Sequence, residues 1–283
     1  MAARASADQR TKLGSTVSLL VLLSLFSCLL LLMNIAVVLR NRELLAAFKH
    51  AAPRSQGDSA RLIHLVGPRQ RSRWLPSWNI SYASWSTCYP QHELRLWDDS
   101  DIDELLESRL GAFRTFVKAY PLPIHRYDVA RYCILYLQGG IYADMDFECL
   151  RPFDHVLEAG KVAVAESPYD HERVQNALLA SPPGHPFWVE VARELLRKRF
   201  NPLVVKATGP HVIETVAARH PDMVQFLPKQ QFTLGGEYAR HHNSHSWTDQ
   251  ERASKNSNSL WTDARLRLQK DFSAIYIRFC EGS

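Results

Sequence analysis

Strand patterns alternating with helical ones across residues 62–218 predict an α/β fold with a mostly parallel sheet and helices on both faces. Two further observations define the architecture. Residues 13–39 contain no charged side chain, and Asp144 and Asp146 close a short apolar run that follows a Gly-Gly pair. The first predicts a membrane-spanning helix ahead of a single domain. The second places paired carboxylates at the carboxyl end of a strand, where open α/β sheets bind their ligands.

In chain order, residues 1–12 form a short tail with Arg4, Arg10 and Lys12, and the span over 13–39 is too long for the core of a cleaved signal peptide. Basic residues also follow it, at Arg40, Arg42, Lys49 and Arg54, so charge alone does not orient the span. Residues 40–60, with Pro53, Ser55, Gly57 and Ser59, read as a stem. Residues 61–283 suffice for one sizeable core. The spacing predicts a strand over 62–66, a helix over 80–87, a strand over 93–97 and a helix over 102–109. A helix over 128–138 follows, with Val129, Tyr132, Cys133, Tyr136 and Leu137 on one apolar face. Gly139 and Gly140 end it, and Ile141-Tyr142-Ala143 forms a buried strand. Beyond the aspartates come a strand over 162–165 and helices over 186–199 and 211–218. Trp78, Trp85 and Trp97 read as core residues.

Side chains at i and i+2 of an extended segment point the same way, so Asp144 and Asp146 can face one hard cation. Spacing alone does not select them. Asp99-Ser-Asp101 and Asp101-Ile-Asp103 repeat it, but in a polar stretch that reads as a helix start. Oxygen ligands suit Mn²⁺ or Mg²⁺, and such a cation offsets charge developing on a departing diphosphate. Asp128 and Arg131 share a second helix face, as a surface ion pair or as a pair turned into the ligand crevice; the crevice is the favoured reading. Gly139 and Gly140 serve as a helix stop and can also admit a ligand close to the backbone. One imidazole from His241, His242 and His245 is a candidate to complete the metal shell.

Of five cysteines, Cys28 lies in the span and Cys133 on the apolar helix face, where a buried thiol is expected. Cys88, Cys149 and Cys280 lack metal-site spacing, and one or two disulfides remain open. The net charge of +5 is scattered without a long basic run, which argues against a nucleic-acid partner.

The stretch Ile124-His-Arg-Tyr-Asp128-Val-Ala-Arg131-Tyr132 through Gly139-Gly-Ile-Tyr-Ala-Asp144-Met-Asp146 resembles the signature of the DXD-containing sugar transferases of glycosyltransferase family 32. That family includes inositol-phosphoceramide mannosyltransferases and yeast-type α-1,6-mannosyltransferases. Leu62-Ile63-His64, Trp78, the block from Trp85 to Asp98, Thr208-Gly209-Pro210 and His241-His242-Asn-Ser-His245-Ser-Trp247 resemble further family blocks, so residues 61–250 are covered. The resemblance implies a GT-A fold and a retaining, metal-dependent enzyme. It would be a single-pass type II Golgi protein with its catalytic domain in the lumen, for which Asn79-Ile-Ser81 is a fitting glycosylation triplet. The implied donor is GDP-mannose, with a UDP-sugar as the alternative, and the implied acceptor is an inositol-phosphoceramide-type glycolipid or a glycan. Asp128, Arg131, Gly139, Gly140, Tyr142 and His64 are implied in nucleotide-sugar binding, and Asp144, Asp146, His241 and His242 in metal binding. Two other classes stay open: an inactive, membrane-anchored sugar-binding or regulatory subunit of a complex, and a metal-dependent hydrolase. The intact Asp144, Asp146, Asp128 and Arg131 argue against the first. The second needs a positioned water and base.

Overall fold

The computed structural model describes residues 2–55, 61–170, 172–201 and 203–244, with side-chain environments from residue 21 onward. Residues 1–46 and 47–283 form two compact units. The first is helical, part of the helix Ala2–His50. Its stretch from Val21 is long and apolar enough to cross a membrane, with a mean hydropathy of 2.6. Leu22, Leu25, Phe26, Leu29 and Leu32 are all exposed, a surface that lipid tails would cover. Residues 40–50, the start of the expected stem, are helical and part of this helix. Residues 47–54 belong to the second unit: Phe48 stacks on Tyr136 at 4.6 Å, and the Arg54 amide donates to the Leu137 carbonyl.

The second unit is built on one six-stranded sheet. Its strands are β1 (Leu62–Val66), β2 (Glu93–Trp97), β3 (Gly140–Ala143), β5 (Val162–Glu166), β6 (Val174–Ser181) and β7 (Val224–Leu227), in the order β2-β1-β3-β6-β5-β7. Only β6 runs antiparallel to its neighbours, so the sheet is mostly parallel, as predicted. A small antiparallel ribbon joins β4 (Phe147–Cys149) to β8 (Ala239–His241). Alternation along β3 assigns the two faces. Ile141 and Ala143 enter the apolar cluster containing Trp85 of the helix Pro76–Cys88, while Tyr142 turns the other way, beneath Arg131 of the helix Pro123–Gln138. That second helix is buried from Asp128 to Leu137 on nearly every side, which explains why its apolar residues exceed one stripe.

Gly139 and Gly140 have φ of 65° and 89°, a region that favours glycine. A Cβ on Gly140 would lie 2.4 Å from the Leu62 carbonyl oxygen, and one on Gly139 would lie 2.7 Å from the Pro183 ring. The pair therefore allows the helix to stop and β3 to press against β1.

His64 on β1 is wholly buried between two fixed partners. Its Nε2 donates to the Gly139 carbonyl at 2.9 Å, and its Nδ1 accepts the Trp97 indole N–H at 3.1 Å. A carbonyl only accepts and an indole only donates, so this tautomer is neutral. Burial lowers the His64 pKa from 6.5 to about 4. The unfolded chain then binds the extra proton first as pH falls, so stability is complete above pH 6.5 and drains away towards pH 4. The expected loss is about 3 kcal/mol. Urea unfolding across that window checks it, and His64→Gln should flatten the slope.

Cys88 and Cys149 form a disulfide that ties the helix Pro76–Cys88 to β4 across 61 residues, while Cys133 is a buried free thiol. Closing a loop of that length is worth about 4 kcal/mol in the chain-entropy account.

Candidate active site

Where β3 ends, the chain meets a cavity of about 610 Å³ lined by Asp128, Arg131, Tyr142, Asp144, Asp146 and His241, among others. The Asp144 amide bonds the Ala177 carbonyl of β6, and the Phe147 amide bonds the Asp144 carbonyl, so a tight turn presents both carboxylates. The competing triplets have different work. Asp98 caps the helix Asp99–Leu110 by accepting from the Ser100 and Asp101 amides; Asp101 completes the capping box and pairs with Arg69 at 2.6 Å.

Arg131 is the hub. Its side chain is 5 % exposed, and Nη1 reaches Asp144 Oδ1 at 3.0 Å and the Asn176 carbonyl at 2.8 Å, while Nη2 reaches Asp128 Oδ1 at 3.3 Å. The surface-pair reading of Asp128 and Arg131 thus fails, because both are buried against the cavity. Tyr142 donates its hydroxyl to Asp144 Oδ1 at 2.7 Å. Burial pushes the Asp144 pKa up, with Arg131 opposing and the Asp146 charge adding to the rise. Burial likewise pushes Asp128 up against Arg131, Thr208 and Asn176. Asp146 goes the other way. Burial works against its ionisation, yet hydrogen bonds and charge from His241, with the Ser244 hydroxyl and amide, hold it well below the usual carboxylate range.

The histidine cluster divides. His241 Nε2 lies 3.3 Å from Asp146 Oδ1, its ring stacked on Phe147, and it lines the cavity. His242 turns away, as the next residue on an extended chain must, and bonds Glu148 Oε2 at 3.0 Å. His242, expected as a metal ligand, thus points to Glu148 and not to the Asp144 and Asp146 pair. His245 lies outside the described residues. His64, Gly139 and Gly140, expected as cofactor contacts, do not line the cavity, and each fixes the packing beneath it.

Asp144 and Asp146 suit a hard divalent cation, because each supplies carboxylate oxygens at one cavity wall and the Asp146 charge makes ionised Asp144 costlier, a cost a shared cation would offset. Among the described residues no set of three His, Cys, Asp or Glu side chains forms a complete cage. The protein would supply part of a shell, leaving positions for ligand oxygens and water.

Sequence reasoning missed Asn176 and Ser244. The Asn176 amide donates to Asp128 and to the Tyr132 hydroxyl, each at 2.9 Å. Polar Gln175 and Asn176 at the head of the apolar run 177–180 were the available signal.

Comparison with known proteins shows what part of this chain is similar to. Residues 76–163 match the model described as glycosyltransferase sugar-binding region containing DXD motif. The matched stretch contains Asp144 and Asp146, and the relatives found carry mannosyltransferase names, in line with the family the signature resembles. Inositol phosphoceramide mannosyltransferase 3 of Schizosaccharomyces pombe is 32 % identical over 159 residues, covering 54 % of this chain and 44 % of that protein. Inositol phosphoceramide mannosyltransferase 1 of the same yeast is 28 % identical over 176 residues, covering 56 % and 51 %. Initiation-specific alpha-1,6-mannosyltransferase of Saccharomyces cerevisiae is 35 % identical over 82 residues, covering 28 % and 17 %. The chain thus spans about half or less of these relatives' length. Among solved structures, PaToxG glycosyltransferase overlaps 66 % of this chain and 78 % of its own at 15 % identity, with a TM-score of 0.43.

Proposed function

We propose that this chain is a membrane-anchored glycosyltransferase that uses a divalent cation, Mn²⁺ or Mg²⁺, to transfer mannose from GDP-mannose with retention of configuration. The acceptor class is an inositol-phosphoceramide-type glycolipid or a glycan, in line with the relatives' names. The placement is a type II Golgi protein, with the apolar helix as anchor and the domain from about residue 47 in the lumen. The observation that carries the reading is the pair Asp144 and Asp146 at the carboxyl end of β3, facing a cavity shared with Arg131 and Asp128. A cation held by that pair would neutralise charge developing on the diphosphate. Arg131, fixed by Asp144, Asp128 and the Asn176 carbonyl, presents a guanidinium to an anionic donor, and Asp128 accepts from sugar hydroxyls. The purified full-length chain in detergent, given a panel of nucleotide sugars and Mn²⁺, should release GDP from GDP-mannose only when an acceptor is added. Release without acceptor would mark a hydrolase, and no release from any donor would mark a non-catalytic subunit.

His241 and His242 give a sharper check. His241→Ala should raise the Mn²⁺ concentration for half-maximal activity ~10-fold, through lost support of the metal site. His242→Ala should leave it unchanged, because its partner is Glu148. Equal effects of the two variants would refute the division.

A further inference from the structure

Asp128 is held by more than its ion pair. Its Oδ1 takes the Asn176 amide and Arg131, and its Oδ2 takes the Thr208 hydroxyl at 2.8 Å. That hydroxyl lies 2.9 Å from His125 Nδ1, and all three side chains, His125, Thr208 and Asp128, are buried. A threonine hydroxyl has one hydrogen to give. An ionised Asp128 has none, so the Thr208 hydrogen must point to Asp128. His125 must then carry its proton on Nδ1 and donate to Thr208. In the other tautomer, one hydrogen would face two acceptors, and a buried contact would be left lone pair against lone pair. Thr208 also anchors the cavity wall, since its carbonyl accepts the Tyr132 hydroxyl at 2.7 Å and the next residues, Gly209 and Pro210, line the cavity.

We propose that His125 and Thr208 are positioning residues: the Nδ1–H tautomer of His125 orients the Thr208 hydroxyl, which holds the ionised Asp128 carboxylate at the cavity wall for the donor sugar. The inference rests on the reading of Asp128 as a sugar contact. It separates two histidines seated in the same domain, His64 fixing a strand packing and His125 fixing a side chain of the site.

The test combines a spectroscopic and a kinetic readout on the full-length chain in detergent. Nitrogen-15 spectra of labelled histidine should show His125 as the Nδ1–H tautomer, and Thr208→Val should shift its Nδ1 signal. A hydrogen bond to a buried charge sets the kinetic scale, so Thr208→Val should lower kcat/KM for the donor ~30-fold and His125→Phe ~10-fold. Thr208→Ser and His125→Asn keep a donor near the required place and should stay within about threefold of the parent. Because the proposed route from His125 to Asp128 runs through Thr208, the double variant should be no worse than Thr208→Val alone. An Nε2–H tautomer in the parent overturns the proposal. So do multiplicative losses in the double variant, or a lowered melting temperature with donor kcat/KM unchanged. If the parent transfers no sugar at all, the functional reading has failed, and the tautomer then decides the relay by itself.

Discussion

Asp144→Asn and Asp146→Asn should each lower sugar transfer ~10²–10³-fold in a chain that remains folded, the scale set by losing one electrostatic contact to developing charge. The substitution keeps size and removes charge. At Asp146 the Ser244 amide and hydroxyl still find an oxygen to bond, so the local loop stays in place. At Asp144 the Tyr142 hydroxyl keeps an acceptor, and Arg131 keeps Asp128 and the Asn176 carbonyl. Asp101→Asn is the control. Its oxygen can still complete the capping box, and only the charge towards the exposed Arg69 is lost, so activity should match the parent. Circular dichroism verifies folding, and acceptor-dependent nucleotide release measures activity. Equal losses at Asp101 and Asp144 would mean that the position of the pair at the end of β3 has no bearing on catalysis.

Whether the carboxylate pair could be chosen from sequence depended on local signals that were unusually clear. A helix read over 128–138, which the structure begins earlier at Pro123, then a short apolar strand, left Asp144 and Asp146 at a strand end, while Asp98 to Asp103 carried a helix-start pattern that the structure confirms as a capping box. Strands β1 and β2 were legible because apolar residues are continuous or alternate there between polar flanks. Strand β6 was not. Gln175 and Asn176 make its opening look like a loop, and they sit in a strand only because Glu166, Thr233, Asp128 and Tyr132 satisfy their amides from other elements. The ribbon of β4 and β8 was too short to carry a period, so nothing in the run Arg240-His241-His242 said which imidazole faces inward. Burial also decided the glycines and His64. Their neighbours in sequence permit a ligand-facing role, but their neighbours in space are Pro183, the Leu62 carbonyl and the Trp97 indole. The Cys88–Cys149 bond was equally silent, because a pairing is a statement about distance.

Arg131→Lys should cost both donor use and stability. A lysine keeps one positive charge but brings it as a single point. Arg131 spreads its charge over a plane whose two ends meet Asp144 and Asp128, with the Asn176 carbonyl as a third acceptor. One ammonium cannot span these three positions, so one buried carboxylate loses its direct partner. Burial already drives both carboxylates towards the neutral form, and Arg131 is the largest influence opposing it at each. The weakened member should take up a proton more readily, and activity should fall at a higher pH in the variant than in the parent on the acid side. The expected stability loss is about 2 kcal/mol, less than the cost of removing one partner of a buried pair altogether because the charge remains. Donor affinity measured by calorimetry should weaken ~10-fold or more, as the planar fork that holds Asp144 and Asp128 in place is lost. Unchanged donor affinity together with unchanged urea stability would show that Arg131 is replaceable by any cation, and the hub would then have to be sought in Asn176.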